Sequence, residues 1–243
     1  MRHYGIIGFP LVHSFSAKYF NEKFATEKID AEYKLYPIGN GEGLSVIGDR
    51  LQELMSSLDG FNVTLPYKQA VIPYLDRLDE TAQAIGAVNV VYKRVGYNTD
   101  CLGFMESMRP LLRDDDRKAL VLGTGGASKA VCYGLKHLGI SPTLVSRTPK
   151  EGMISYDDLT QTIMSEHTII VNCTPLGMLP DVLSCPQIPY ELISAQHLLY
   201  DCVYNPEVTM FLQKGREHGA TIKNGLDMLY GQAKAAWKIW SES

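Results

Sequence analysis

Five cysteines are scattered through the 243 residues, and no two of them stand in a CxxC spacing. That pattern excludes a zinc ribbon or finger, and an odd, dispersed set provides no disulfide framework. Reduced thiols in the cytoplasm are the expectation, and no metal site is expected. No uninterrupted apolar run approaches the ~20 residues that span a bilayer, and the start, Met1-Arg2-His3-Tyr4-Gly5-Ile6-Ile7-Gly8, lacks the apolar stretch of a signal peptide. Basic charge is also short: 23 Lys and Arg against 27 Asp and Glu leave a formal charge of −4, with no block denser than Arg117-Lys118. Nucleic acid and anionic membranes are therefore not expected partners. Repeats at solenoid periods and low-complexity tracts are missing as well.

What remains is the composition of a globular chain, 45% hydrophobic and 21% charged. At about 150 residues per domain the length is compatible with one large unit or two small ones. Short apolar runs alternate with helix-period segments, the rhythm of parallel strands joined by helical crossovers. Strands are predicted at 4–9, around Tyr33 and Leu35, at 61–64 and at 88–92, with helices at 16–26, 44–58 and 81–87. Ser14 or Ser16 is available to cap the first helix. A helix at 101–112 runs into Arg113-Asp114-Asp115-Asp116-Arg117-Lys118, the most charged stretch, and a domain boundary is placed near it. A second series follows: strands at 119–122, 143–146, 168–173, 198–201 and 221–223, and helices at 128–138, 156–165 and 209–218. A final helix at 226–240 sets Leu226, Leu229, Tyr230, Ala233, Trp237 and Trp240 on one face.

Gly123-Thr124-Gly125-Gly126-Ala127-Ser128 follows a predicted strand and opens a predicted helix. In that context Gly123 allows a tight turn and Gly125 lets a pyrophosphate approach the backbone. The small Ser128 lets the helix pack closely, with phosphates at the helix N-terminus. An ordinary glycine turn is the plainer alternative. The next strand ends in Ser146-Arg147-Thr148, where an NAD site places an acidic residue. A guanidinium there suits a 2′-phosphate and favours NADP, unless Arg147 is simply a solvated loop residue.

In the front half, polar groups cluster where predicted strands end: His13-Ser14-Phe15-Ser16, Asn62-Val63-Thr64-Leu65-Pro66-Tyr67-Lys68, Gly86-Ala87-Val88-Asn89 and Asn98-Thr99-Asp100. In an open α/β sheet that edge binds ligands. These segments, in this order and followed by Gly123 to Ala127, resemble the shikimate dehydrogenase family. The likeness continues through Asn172-Cys173-Thr174-Pro175-Leu176-Gly177-Met178, Tyr200-Asp201-Cys202-Val203-Tyr204-Asn205-Pro206 and Asn224-Gly225-Leu226-Asp227-Met228-Leu229 with Gln232. It covers nearly the whole chain.

The resemblance implies an α/β fold of two domains. One is an N-terminal substrate domain at 1–101, joined by the returning C-terminal helix at 226–243; the other is a Rossmann-type doubly wound NADP domain at 102–225. It implies the NADPH-dependent reduction of 3-dehydroshikimate to shikimate and its reverse. Lys68 and Asp100 match the catalytic pair. Ser14 and Ser16 match hydroxyls on the substrate carboxylate, Thr64, Asn89 and Gln232 match groups around the ring, and Tyr204 matches a tyrosine near the carboxylate. Gly123, Gly125, Gly126, Ala127, Ser128, Ser146, Arg147, Thr148 and Thr174 fall to the cofactor, with Gly225 and Met228 against the nicotinamide. Read singly, Lys68 is an exposed lysine after a proline turn and Asp100 a helix cap.

Several residues depart from the family pattern. Ala17 stands for a usual proline and Phe20 for a common histidine, both read as packing changes in the first helix. Ser146 replaces an asparagine, Glu151 occupies the usual second basic position, and Lys150 is displaced by one. A thinner phosphate clamp of Ser146, Arg147, Thr148 and Lys150 is expected, with a weakened NADP preference. That keeps open an NAD-using quinate/shikimate dehydrogenase, and the fold alone also admits a non-catalytic NADP-binding regulator. A monomer or weak homodimer is the expected state.

Overall fold

The computed structural model of the chain describes residues 1–11, 14–39 and 44–242. It divides into two compact units, Met1–Thr99 with Ala233–Ser243, and Asp100–Gln232.

The first unit contains β1 (Arg2–Gly8), α1 (Phe15–Thr26), β2 (Ala31–Pro37), α2 (Leu44–Ser57), β3 (Gly60–Val63), β4 (Arg77–Leu78), α3 (Glu80–Ile85), β5 (Val90–Tyr92) and β6 (Val95–Tyr97). Its sheet has the order β2-β1-β3-β5-β6-β4. β1 runs parallel to β2 and β3, but β5 is antiparallel to both β3 and β6. The expectation of parallel strands thus holds for only part of this sheet. The cause is a tight hairpin: Lys93 and Arg94, at φ 46° and 61°, form a two-residue turn between the paired Tyr92 and Val95. Positive φ at both central residues gives the turn the twist that adjoining strands need.

β1 is buried from Tyr4 to Gly8 and β3 throughout, Asn62 included, as expected of inner strands covered on both faces. On α1, Ser16, Phe20 and Phe24 recur every four residues and are buried. Phe20 stacks on Tyr33 with ring centroids 4.8 Å apart, so its departure from the family pattern is an aromatic packing choice. Trp240 stacks on Tyr4 at 4.9 Å and donates its indole N–H to the Val91 carbonyl at 3.3 Å. Gly60 makes room for it, since a Cβ there would lie 2.5 Å from Trp240 Nε1.

The second unit contains α4 (Asp100–Met108), β7 (Lys118–Leu122), α5 (Gly126–His137), β8 (Ser141–Val145), β9 (Met153–Ile154), α6 (Gln161–Glu166), β10 (Ile169–Asn172), β11 (Leu198–Asp201), α7 (Met210–Glu217), β12 (Thr221–Lys223) and α8 (Leu226–Glu242), the last of which continues into the first unit. Its sheet is parallel throughout, in the order β12-β11-β10-β7-β8-β9. Counted from β7, that is the 3-2-1-4-5-6 order of doubly wound dinucleotide-binding sheets, with its switch point between β7 and β10.

Three predicted helices change shape. The helix expected at 101–112 stops at Met108, and Arg109–Leu111 tightens into a 3₁₀ turn around Pro110. The helix expected at 156–165 is broken in two: Ser155 and Asp158 form a capping box on one turn, and Thr160 caps α6 by accepting from Ile163 N–H. On α8, Ala233 and Trp240 are buried as expected, but Leu226 and Tyr230 are exposed, and Met228, Gln232 and Ala236 complete the buried face. At its start α8 packs closely on α4: a Cβ on Gly103 of α4 would lie 2.3 Å from the Met228 carbonyl oxygen.

Candidate active site

In the first unit the loops after β1 and β3 meet where the strand order reverses around β1. Thr64 donates its backbone N–H to Ile7 and Phe9 donates to Leu65, both at 2.9 Å. A Cβ on Gly8 would lie 2.3 Å from the Thr64 methyl. Because β5 is antiparallel, its start lies at the edge where β3 ends, and β6 ends there too. Topology therefore brings Ser14, Ser16, Thr64, Lys68 and Asn89 to one sheet edge, and the chain leaves it through Asn98 and Thr99.

A buried hydrogen-bond chain holds that edge. Ser16 is bonded to the Tyr33 hydroxyl, which burial pushes well above the ordinary phenol range. Tyr33 donates to Asn62 Oδ1 at 2.7 Å, and Asn62 Nδ2 donates to the Asn89 carbonyl at 3.2 Å. Asn89 Nδ2 donates to Thr99 Oγ1 at 2.9 Å and its Oδ1 accepts from Thr99 N–H at 2.7 Å, while Asn98 Nδ2 donates to Ala87 at 2.9 Å. Buried polar networks of this kind are stable only when every group is paired. Ser14 occupies the N-cap of α1 but makes no side-chain capping bond, so capping does not account for its hydroxyl. His13 lies outside the described residues. Lys68 is half-buried after a turn in which Tyr67 N–H donates to Thr64, and its own carbonyl accepts from Val88 N–H at 2.7 Å.

In the second unit every strand is parallel, so the turns after β7, β8, β10, β11 and β12 share one edge. Gly123 sits at φ 103°, where only glycine is unstrained, and a Cβ on it would lie 3.1 Å from the Thr174 methyl. Gly125 is the N-cap of α5, and a Cβ there would meet nothing within 4 Å. No side-chain cap at Gly125 accepts from the N–H groups of the first turn of α5. Ser128 is buried and donates to the Gly125 carbonyl at 2.7 Å. Beyond β8, Ser146 is buried and accepts from Thr148 N–H at 3.2 Å, and Arg147 is exposed. A glycine-lined turn, a bare helix N-terminus and an exposed guanidinium at the next strand end fit the pyrophosphate and 2′-phosphate of NADP.

The ends of β10 and β11 are tied by Asn172 and Asp201, both fully buried, which stand in the family-like segments but have no role assigned from sequence. Asp201 accepts from Asn172 Nδ2 at 3.0 Å, Val203 N–H at 3.0 Å and the Thr209 hydroxyl at 2.5 Å. Asn172 Oδ1 in turn accepts from Thr174 N–H at 3.0 Å and the Thr174 hydroxyl at 2.6 Å. Burial pushes the Asp201 carboxyl up to about 6. A polar residue closing an apolar run, as after Ile169-Ile170-Val171 and Leu198-Leu199-Tyr200, is the signal that marks them.

The remaining candidates sit close by in sequence. Tyr204 is half-buried, and burial raises its hydroxyl. Gly225 presses so near Cys202 that a Cβ would lie 2.3 Å from its carbonyl oxygen. Met228 joins the core with Phe104, Met108 and Tyr200, and Gln232 Nε2 donates to Leu229 at 3.1 Å. Lys68 belongs to the first unit, and Asp100, buried, opens α4 in the second.

The fold and the turn after β7 define an α/β protein with a dinucleotide-binding unit and a second α/β unit bearing a polar sheet edge. Residues 6–91 match the family model of the shikimate dehydrogenase substrate binding domain. A shikimate dehydrogenase (NADP(+)) of Clostridium beijerinckii is 38% identical over 100% of this chain and 93% of its own. One from Symbiobacterium thermophilum is 35% identical over 97% and 87%. The crystal structure of the Thermus thermophilus enzyme, solved with NADP(H) and shikimate, superposes with a TM-score of 0.87 at 29% identity, covering 100% of this chain and 94% of that one. The chain belongs to the shikimate dehydrogenase family.

Proposed function

We propose that the protein interconverts 3-dehydroshikimate and shikimate with NADP(H). The observation that carries this reading is the series of family-like segments from His13-Ser14-Phe15-Ser16 to Asn224–Gln232, in order, in a chain 38% identical to a shikimate dehydrogenase (NADP(+)) along its whole length. The first unit serves as the substrate domain and the second as the NADP domain, in a cytoplasmic protein that works as a monomer or weak homodimer. Among the described residues no helix is long and apolar enough to cross a membrane.

In this reading Gly123, Gly125, Gly126, Ala127 and Ser128 hold the pyrophosphate, Ser146, Arg147 and Thr148 the 2′-phosphate, and Thr174, Gly225 and Met228 border the nicotinamide. Bound NADPH supplies the hydride. As the C3 carbonyl is reduced, negative charge develops on its oxygen, and the Lys68 ammonium stabilises that charge and delivers the proton. Asp100 orients Lys68 and the neighbouring substrate hydroxyl. Ser14, Ser16 and Tyr204 bind the carboxylate, and Thr64, Asn89 and Gln232 bind the ring hydroxyls.

The test follows formation of reduced nicotinamide by absorbance with shikimate or quinate and with NADP+ or NAD+. Shikimate- and NADP+-dependent turnover is the expected result. Dinucleotide binding without turnover would replace the reading with a regulator, and equal use of quinate and NAD+ would replace it with a broader dehydrogenase, the reading that Glu151 at the second basic position keeps open.

A further inference from the structure

Cys173 and Cys202 follow the paired residues Asn172 and Asp201 on neighbouring parallel strands, and their sulfurs are 3.8 Å apart. Both are half-buried rather than sealed. They lie among the dinucleotide turns. The Cys173 backbone borders Gly123, whose added Cβ would be 3.4 Å from the Cys173 carbonyl, and the Cys202 carbonyl borders Gly225. Neither thiol has a place in the proposed reaction.

We propose that Cys173 and Cys202 form a dithiol site for trivalent arsenicals. The sulfurs are too far apart for a disulfide of about 2.05 Å without rearrangement. A single thiophilic atom bonded to both at about 2.3 Å, the length of a metal–thiolate bond, spans about 3.5–3.8 Å for bond angles of about 100–110°, so the observed separation lies at the upper end of that bite and a small side-chain rotation closes it onto a pyramidal centre. A tetrahedral metal requires more ligands, and among the described residues no group of three or more His, Cys, Asp and Glu could hold one. Burial keeps the Cys173 thiol well above the usual thiol range, which disfavours thiolate-driven disulfide exchange. An arsenical does not depend on a thiolate: an organoarsenic(III) oxide condenses with two neutral thiols. Two As–S bonds form, the As–O and both S–H bonds break, the oxygen leaves with both protons as water, and arsenic remains trivalent.

The test treats the full chain with one equivalent of phenylarsine oxide and reads intact mass and free-thiol titre. One phenylarsenic group is expected, with loss of one water and two titratable thiols, reversed by 2,3-dimercaptopropanol but not by a monothiol. Cys173→Ala and Cys202→Ala, each checked for an unchanged circular dichroism spectrum, are expected to lose the stable adduct, and Cys132→Ala to keep it. A wild-type protein that takes up no arsenical, loses only one thiol, or keeps its adduct in either of the two variants overturns the proposal. The result is independent of whether the protein turns over shikimate.

Discussion

Across the β10–β11 rung, Asn172 donates its side-chain amide to the Asp201 carboxylate at 3.0 Å, with neither residue exposed. Removing a carboxylate from water disfavours its charged form, which accounts for a value near 6 in place of 3.8 despite three hydrogen bonds to it. The folded protein therefore holds a proton through the window between about pH 4 and pH 6 that the unfolded chain has released. Stability should fall as pH rises through that window and level off above it, by on the order of 3 kcal/mol from this group. In Asp201→Asn this component should vanish. Urea unfolding of both proteins across the window checks it, and an unchanged difference between them would show that burial does not govern this carboxyl.

Lys68→Ala should lower kcat by about 10²–10⁴-fold, the usual contribution of a positioned proton donor, while KM for shikimate changes much less. Such a split places the lost interaction in the transition state rather than in substrate binding. Steady-state kinetics in both directions measures it. A kcat within a few-fold of the wild type would remove Lys68 from the proton path.

Arg147→Ala should cut the preference for NADPH over NADH, read as the ratio of kcat/KM values, by about 10–100-fold, the loss of one charge-assisted contact. The wild-type preference should be smaller than in a relative with two basic residues, because Glu151 is repelled by the phosphate that a cation would attract. An unchanged ratio in Arg147→Ala would assign the 2′-phosphate to other groups.

These predictions rest on parts of the molecule that differed in how readily they could be read from sequence. The turn at Gly123 was legible because a steric need, positive φ beside Thr174, selects glycine and leaves a mark in the sequence. The strands feeding it were legible because burial on both faces demands uninterrupted apolar runs. The β5–β6 hairpin was not, because its turn is made by Lys93 and Arg94 and not by the Asn-Gly or Asp-Gly that usually marks it. The buried face of α8 was legible only in part: Ala233 and Trp240 lie in it, but Leu226 and Tyr230 do not, and the close approach of Gly103 to the Met228 backbone leaves no apolar periodicity to read. Hydrogen bonding between strands distant in sequence, as from Tyr33 to Asn62 or Asn172 to Asp201, leaves no local periodicity at all.

Gly125 separates what the fold needs from what a phosphate needs. Its backbone is extended, not left-handed, and an added Cβ would meet no protein atom within 4 Å, so the fold itself does not demand glycine. It also occupies the N-cap of α5, where an aspartate is among the best residues: its carboxylate accepts from the first free N–H groups and complements the positive end of the helix dipole. Gly125→Asp should therefore match or exceed the wild type in thermal stability. The same carboxylate would occupy the space and the charge that a pyrophosphate requires, so NADPH affinity should drop by at least about 10²-fold. Gly123→Ala should behave in the opposite sense, losing stability through its φ of 103° whether or not a nucleotide is present. Thermal melts with and without NADPH, together with dinucleotide titration by fluorescence, distinguish the two. A Gly125→Asp protein that is stable and still binds NADPH normally would move the phosphates away from this helix.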